Sequence, residues 1–523
     1  MIKLFVTRML FLRKEITIKM SKNKLIVKNT LFLATRTIFS LAISFYTTRI
    51  VLHQLGVSDY GLFSVIYGVV AFFVFIVSAM NDSVQRFISI NLGLRDVDSV
   101  RDTVKNSIVV YFLAGICLVS LLLSVRSYII YDFLNIDTAS LDVAKKLYIV
   151  ALFSIFISVL QTPFNALVLA NERMSFYAYM TIFDACSKLA VSFLIVVIPY
   201  QKVVIYSLLL LTSTFLVFCI YLAYCYTKFK ASFLGGKINV AIIKEITVFS
   251  FWNVFGNFAY VCRTQGINVV INVFFATAAN AAYALSNTVL NAINSLTQSF
   301  ITAIRPQIFK AYAEKNIDRY NLLINSGSKY TFSLLFILSC PVLLCTKQLL
   351  SLWLVNIPVY TVGFVRFIIL VALIDSFSSS VITGIQATGK IKKYQMVVGF
   401  FVFISLPVTY LLYRSGAPIY SAFIPLIATS LLNMFLRIYF VSSLSSFKSA
   451  CFYKSVLIPC VFSALISLGS GYYINMHVPY EGVIELLCFS ALYSLMSFVA
   501  VFIFVVSKEE KKLIVKYIGS KRK

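Results

Sequence analysis

Long apolar stretches alternate with short polar ones along nearly the whole chain. Fourteen runs have few charges: residues 29–51, 62–81, 107–124, 147–170, 177–199, 203–225, 247–275, 280–304, 331–354, 361–387, 394–413, 418–441, 454–474 and 482–507. Runs of about 18 residues or more can cross the hydrocarbon core as helices. Lipid admits only helices and closed barrels, because backbone polar groups find no water there. The expected fold class is an all-α membrane protein with about 14 transmembrane helices. The seventh and eighth runs are long and rich in Asn, and the ninth holds Pro341 and Lys347, which predicts a kink or a shorter span.

Composition supports this reading. Of 523 residues, 60 % are hydrophobic and only 12 % charged, about half the charge of an ordinary soluble domain. A soluble chain could not cover that much apolar surface. Ten Cys lie in or at the ends of apolar runs with no CxxC pair, and there are two His. No disulfide, metal or cofactor role is expected, since membrane Cys behaves as a small apolar residue. The 46 Lys and Arg against 19 Asp and Glu give a net charge of +27. With the N-terminus inside, 33 of the 46 basic residues fall on the inner tails and loops and five on the outer loops. The positive-inside rule then places both termini in the cytoplasm. The basic tail from Lys508 to Lys523 reads as an orientation signal with attraction to anionic lipid, not as a nucleic-acid site.

The expected organisation is a basic tail (1–28), a six-helix lobe (29–226), a basic inter-lobe loop (227–246), a second six-helix lobe (247–441), an additional helix pair (442–507) and a basic tail (508–523). Residues 1–19 read as an appendage before Met20. Ala170–Tyr177 closes the fourth span and Ala387–Tyr394 the tenth, with Ala, a basic residue and Tyr aligned at an offset of 217. An even number of spans lies between them, so the two lobes are expected to be parallel pseudo-repeats.

Charges inside spans need a reason, since each costs roughly 2.5–3.5 kcal/mol at the bilayer centre. The basic ones are Arg36, Arg49, Lys188, Arg263, Arg366 and Arg437, and the acidic ones Asp184 and Asp375. Arg36, Arg49, Arg366 and Arg437 lie near span ends, where they either snorkel or line a cavity. Asp184 and Lys188 are four apart on one helix and can neutralise each other. Asp375 has no partner on its own helix, so it is either a protonation switch or the partner of an arginine across helices, Arg263 or Arg437. The basic excess favours an anion, and the arginine fork suits phosphate.

Asn253, Asn257, Gln265, Asn268 and Asn272 follow helical steps in the seventh run, and Asn287, Asn291, Asn294 and Gln298 do so in the eighth. Such stripes glue helices together or line a wet path for a hydroxyl-rich ligand. Enzyme signatures are nearly absent. Asp96-Val97-Asp98 matches a metal-holding Asp-x-Asp pattern but reads as the start of a solvated helix, and no P-loop or dinucleotide loop is present.

Short motifs then place the chain beside a known family. They are Leu55-Gly56-Val57-Ser58-Asp59-Tyr60-Gly61, Gln85-Arg86-Phe87, Leu92-Gly93, Asn280-Ala281-Ala282-Tyr283, Arg305-Pro306-Gln307-Ile308, Leu352-Trp353-Leu354 and Gln386-Ala387-Thr388-Gly389-Lys390-Ile391. In this order and spacing, from about Met20 to Lys454, the sequence resembles the bacterial polysaccharide (O-antigen) flippases, in the superfamily that also holds multidrug and toxin extrusion transporters. The resemblance implies a transporter, not an enzyme, in the bacterial inner membrane. It implies two six-helix lobes around a central cavity open alternately to each side. The implied partners are an undecaprenyl-diphosphate-linked oligosaccharide, the lipid bilayer and other polysaccharide assembly proteins such as a polymerase. Candidate substrate-binding residues are Arg36, Arg49, Lys188, Arg263, Asn268, Asn287, Asn291 and Arg366, with Asp184 and Asp375 as candidates for proton or sodium coupling. The competing readings are a cation-coupled exporter of small molecules and a membrane-embedded glycan polymerase or ligase.

Overall fold

The computed structural model describes residues 33–511, except 34, 41, 45, 52, 57, 58, 71, 134–139, 198–200, 231–234, 355, 356, 478–481, 508 and 509. Within these limits the chain is helical throughout, with short turns. Residues 33–56 are helical wherever described. Asp59–Val70 follows, bent by 42° against α1 (Val74–Gly93). Then come α2 (Val97–Ser124), α3 (Leu141–Ala170), α4 (Met174–Val197), α5 (Lys202–Lys228) and α6 (Val240–Ala313). The second half holds α7 (Ile317–Leu344), α8 (Thr346–Trp353), α9 (Thr361–Ser376), α10 (Ser379–Thr388) and α11 (Lys392–Arg414). It closes with α12 (Phe423–Leu444), α13 (Ser449–His477) and α14 (Val483–Val505).

Ten of the described helices are long and apolar enough to cross a membrane, or eleven if the bent pair is one span. The expected first run falls largely among residues 29–51, part of which lies outside the described residues. The expected seventh and eighth runs form one helical stretch, α6, with no Pro or Gly between Phe275 and Asn280 to break it. A straight helix would set Tyr260 and Gln298 about 57 Å apart at 1.5 Å per residue. Both line one cavity, so α6 turns back on itself as two arms. The ninth run starts earlier than expected, at Ile317. It ends at Leu344, three residues past Pro341, before α8 begins.

The chain forms two compact units. One holds residues 1–254 and 302–306, the other 255–301 and 307–523. In the first, α3 packs against α1, α2, α4 and α5. Buried hydroxyls close its seams. Tyr111 donates to the Met80 carbonyl at 2.7 Å and Tyr148 to the Leu122 carbonyl at 2.8 Å. Serines such as Ser83 and Ser107 bond back to the carbonyl four residues earlier, the way a membrane helix satisfies a hydroxyl without water. The segment after α5 is tied down by α2. Asp102 accepts the Lys237 amide at 2.6 Å, and Asn106 donates to the Lys237 carbonyl and accepts the Asn239 amide, each at 2.9 Å. In the second unit α7 packs against α9, α10, α13 and α14. An apolar cluster around Ile267, Ile271, Tyr283, Phe364 and Phe423 joins both arms of α6 to α9 and α12.

Matching turns recur in the two units. Asp96 caps α2, accepting the Ser99 hydroxyl at 2.6 Å and amide at 2.9 Å, which hold its carboxyl below the ordinary value. Asn316, 220 residues on, caps α7 by accepting the Arg319 amide at 3.1 Å. The residues before them, Arg95 and Lys315, both have left-handed backbones, at φ 59° and 54°. Glu172 (φ 57°) and Gly389 (φ 77°) repeat the pattern at the offset of 217 seen in the sequence.

Candidate functional site

A cavity in the second unit has a volume of about 160 Å³. The first arm of α6 contributes Tyr260, Arg263, Thr264 and Ile267. The second arm contributes Tyr283, Asn287, Leu290, Asn294, Thr297 and Gln298, at the three- and four-residue steps that share a helix face. Asp375 and Ser376 come from the end of α9, and Ser379 from the start of α10. The helix breaks between them at Phe377 and Ser378, which sets these side chains at an interruption inside a span. Irregular backbone is tolerated at such depth where it is buried in protein or lines a cavity.

Arg263 and Asp375 meet across helices. Arg263 Nη2 lies 3.2 Å from Asp375 Oδ2, and Nη1 donates to Ser430 Oγ of α12 at 3.3 Å. Arg437 approaches the other carboxylate oxygen at 4.0 Å. Arg263 is fully enclosed, and its guanidinium sits 4.9 Å from the Tyr260 ring centre. Asp375 therefore stands between two arginines, and this cluster carries a net positive charge.

The first unit holds four of the predicted charges, Arg36, Arg49, Asp184 and Lys188. Arg36 donates to Thr181 Oγ1 at 3.1 Å and lies over the Tyr177 ring at 5.1 Å. Lys188 and Asp184 pair on α4 at 2.7 Å. Arg49 is exposed.

Of the predicted site residues, Arg263, Asn287 and Asp375 line the described cavity; the others do not. Asn291 is exposed and does not line the cavity. Asn268 buries its carboxamide oxygen outside the cavity. Arg366 is exposed and donates to Thr346 Oγ1 at 3.0 Å.

Sequence reasoning missed two features. Asp82 lies one residue past the expected end of the second run, but α1 continues to Gly93, so Asp82 sits inside a helix and pairs with Arg305. Beside it Asn253 donates to Ser83 Oγ at 2.9 Å and Asn165 to Asn81 Oδ1 at 3.3 Å. The motif residues Gln85 and Arg86, one turn further along α1, could have flagged this patch. Tyr260 was missed because nothing local sets it apart from 30 other tyrosines.

The comparisons with known proteins bear on this geometry. The MatE family model matches residues 34–194. No curated protein sequence matches this chain. Several solved structures share its fold at low identity. A MATE in the bent conformation is 14 % identical over 82 % of this chain and 97 % of that one, with a TM-score of 0.71. A multidrug resistance MATE family transporter of the MOP superfamily, in an outward-facing conformation, is 11 % identical over 80 % and 96 %, with a TM-score of 0.69. A MOP superfamily transporter from Pyrococcus furiosus, for which reverse polarity of the binding pocket suggests a different function, is 12 % identical over 80 % and 96 %, with a TM-score of 0.68. The chain thus has the multi-span, all-helical fold of the MATE transporters of the MOP superfamily, and its first unit carries the MatE pattern.

Proposed function

We propose that this protein is a flippase that moves an undecaprenyl-diphosphate-linked oligosaccharide, such as an O-antigen repeat unit, from the cytoplasmic to the outer leaflet of the bacterial inner membrane. The observation that carries the reading is the state of the deep carboxylates. Asp82, Asp184 and Asp375 each face a lysine or arginine, so a cationic substrate would meet a neutralised acid. Arg36 and Arg366 bond hydroxyls rather than carboxylates, which leaves positive charge for a diphosphate. The amide and hydroxyl wall of the cavity suits a glycan. The reading includes 14 spans, cytoplasmic termini and parallel lobes, with alternating access biased by an ion gradient or by consumption of the product.

The fold likeness to multidrug MATE transporters favours a second reading, a cation-coupled exporter of small molecules. One experiment separates them. A strain lacking the protein should accumulate lipid-linked oligosaccharide facing the cytoplasm, and the wild-type gene should clear it. Unchanged oligosaccharide distribution together with lost efflux of a cationic dye would favour the second reading.

A further inference from the structure

Within the cavity of the second unit, the ionised groups are committed to one another. Arg263 spends its two terminal nitrogens on Asp375 and Ser430, and Asp375 lies between Arg263 and Arg437. Apart from Arg263 and Asp375, the groups that line the space are uncharged. Tyr260 lines the cavity with half of its surface exposed, 49 %, and Arg263 stacks on its ring. Asn294 lines the same space, and among the described residues its carboxamide has no hydrogen-bond partner. Thr297 and Ser379 add hydroxyl-bearing walls.

We infer that this cavity is a subsite for one uncharged sugar ring, with Tyr260 as its stacking platform and Asn294 bonding its hydroxyls. The inference rests on the flippase reading and deepens it, since it assigns the glycan rather than the diphosphate to the second unit. The chemistry is specific. A pyranose presents a C–H face, with partial positive charge, to the negative face of an aromatic ring, and its hydroxyls need groups that both donate and accept, as a carboxamide does. The guanidinium on the Tyr260 ring holds that ring in one orientation at little entropy cost. Arg263, fixed by Asp375, acts here as a positioning residue. A volume of about 160 Å³ is of the order of one monosaccharide ring. It is far too small for a diphosphate with its polyprenyl chain.

The test uses the full-length purified protein and neutral methyl glycosides at millimolar concentration, read by saturation-transfer NMR. Wild type should transfer saturation to the ring C–H protons of at least one hexoside or N-acetylhexosaminide. Tyr260→Ala should weaken this about tenfold, Tyr260→Phe should retain it, and Asn294→Leu should reduce it, all with unchanged thermal midpoints. Binding of sugar-free undecaprenyl diphosphate, read by native mass spectrometry, should be the same in wild type and Tyr260→Ala. Absent transfer in wild type, equal transfer in Tyr260→Ala, or transfer only to methyl hexuronides would overturn the inference. Failure of wild type to bind undecaprenyl diphosphate would instead count against the flippase reading, and sugar transfer would still stand or fall on its own.

Discussion

At the residue scale, the Arg263–Asp375 pair makes the clearest prediction. Removing one partner of a buried pair leaves an uncompensated charge, at about 3–5 kcal/mol. Asp375→Asn should therefore lower the thermal midpoint in detergent. Arg263→Gln combined with Asp375→Asn should recover part of the loss, because only Arg437 is then left without its acid. A double variant as unstable as Asp375→Asn alone would show that the pair is not what matters there. Asp375 as a coupling acid predicts something different, an Asn variant of normal stability that transports without pH dependence. Glu510 supplies a pH test outside the spans. Burial would raise its carboxyl value, but Lys329 (at 2.7 and 2.9 Å), the Ser507 amide and Tyr330 outweigh this and hold it below the ordinary value. A depressed carboxyl contributes fully above its unfolded value and loses that contribution as pH falls through the folded one. Hydrogen-exchange protection at residues 507 and 510, taken relative to the intrinsic rate at each pH, should fall in acid below the usual carboxylate value of about 4.3, and should be lower in Glu510→Gln than in wild type at neutral pH. A flat profile in wild type would remove Glu510 from the account.

At the scale of elements, two devices were readable in different degrees. The N-caps at Asp96 and Asn316 announce themselves as a polar residue before a helix, and the offset match around Ala170 and Ala387 marked where turns would repeat. The turn inside α6 falls where the runs 247–275 and 280–304 were set apart, although Phe275 to Asn280 holds no Pro or Gly to end the helix. The tie between α2 and the segment after α5 was invisible, since Asp102 and Asn106 are 131 to 135 residues from the groups they hold. It is testable at Gly236. A Cβ there would lie 2.5 Å from the Arg101 carbonyl oxygen, which is backbone and cannot step aside. Gly236→Ala should cost about 1–3 kcal/mol and should make the 235–239 segment cleavable by added protease. Protection equal to wild type would show that the tie is dispensable.

For the whole molecule, the proposed orientation makes a prediction that no single helix does. Reporter fusions at Gly235 and Lys392 should read cytoplasmic, and fusions at Gly416 and Met476 periplasmic. Two reversals among the four would sink the arrangement of 14 spans. Along α6 the chain enters the second unit after Val254, leaves it after Ile301 and re-enters it at Gln307. The sequence division at the basic 227–246 stretch falls short of that crossing, since a charge run marks where loops meet water and contact boundaries follow packing.

What the sequence determined by itself is the solvent and the periodicity. Apolar runs of membrane length, sparse charge and the asymmetry of Lys and Arg decide that the chain is a multi-span helical membrane protein, because lipid penalises every unsatisfied backbone group. The same runs hide partners. Asp375 could be read as switch or ion pair until α6 and α12 placed Arg263 and Arg437 beside it. Asp82 looked like a loop residue until α1 ran past it to meet Arg305. Tyr260 became a candidate only when α6 turned back and set its ring beside Asn294. Those decisions belong to the tertiary structure, because burial and pairing depend on residues tens to hundreds of positions apart on different helices or helix arms, and local pattern cannot encode which of them will touch.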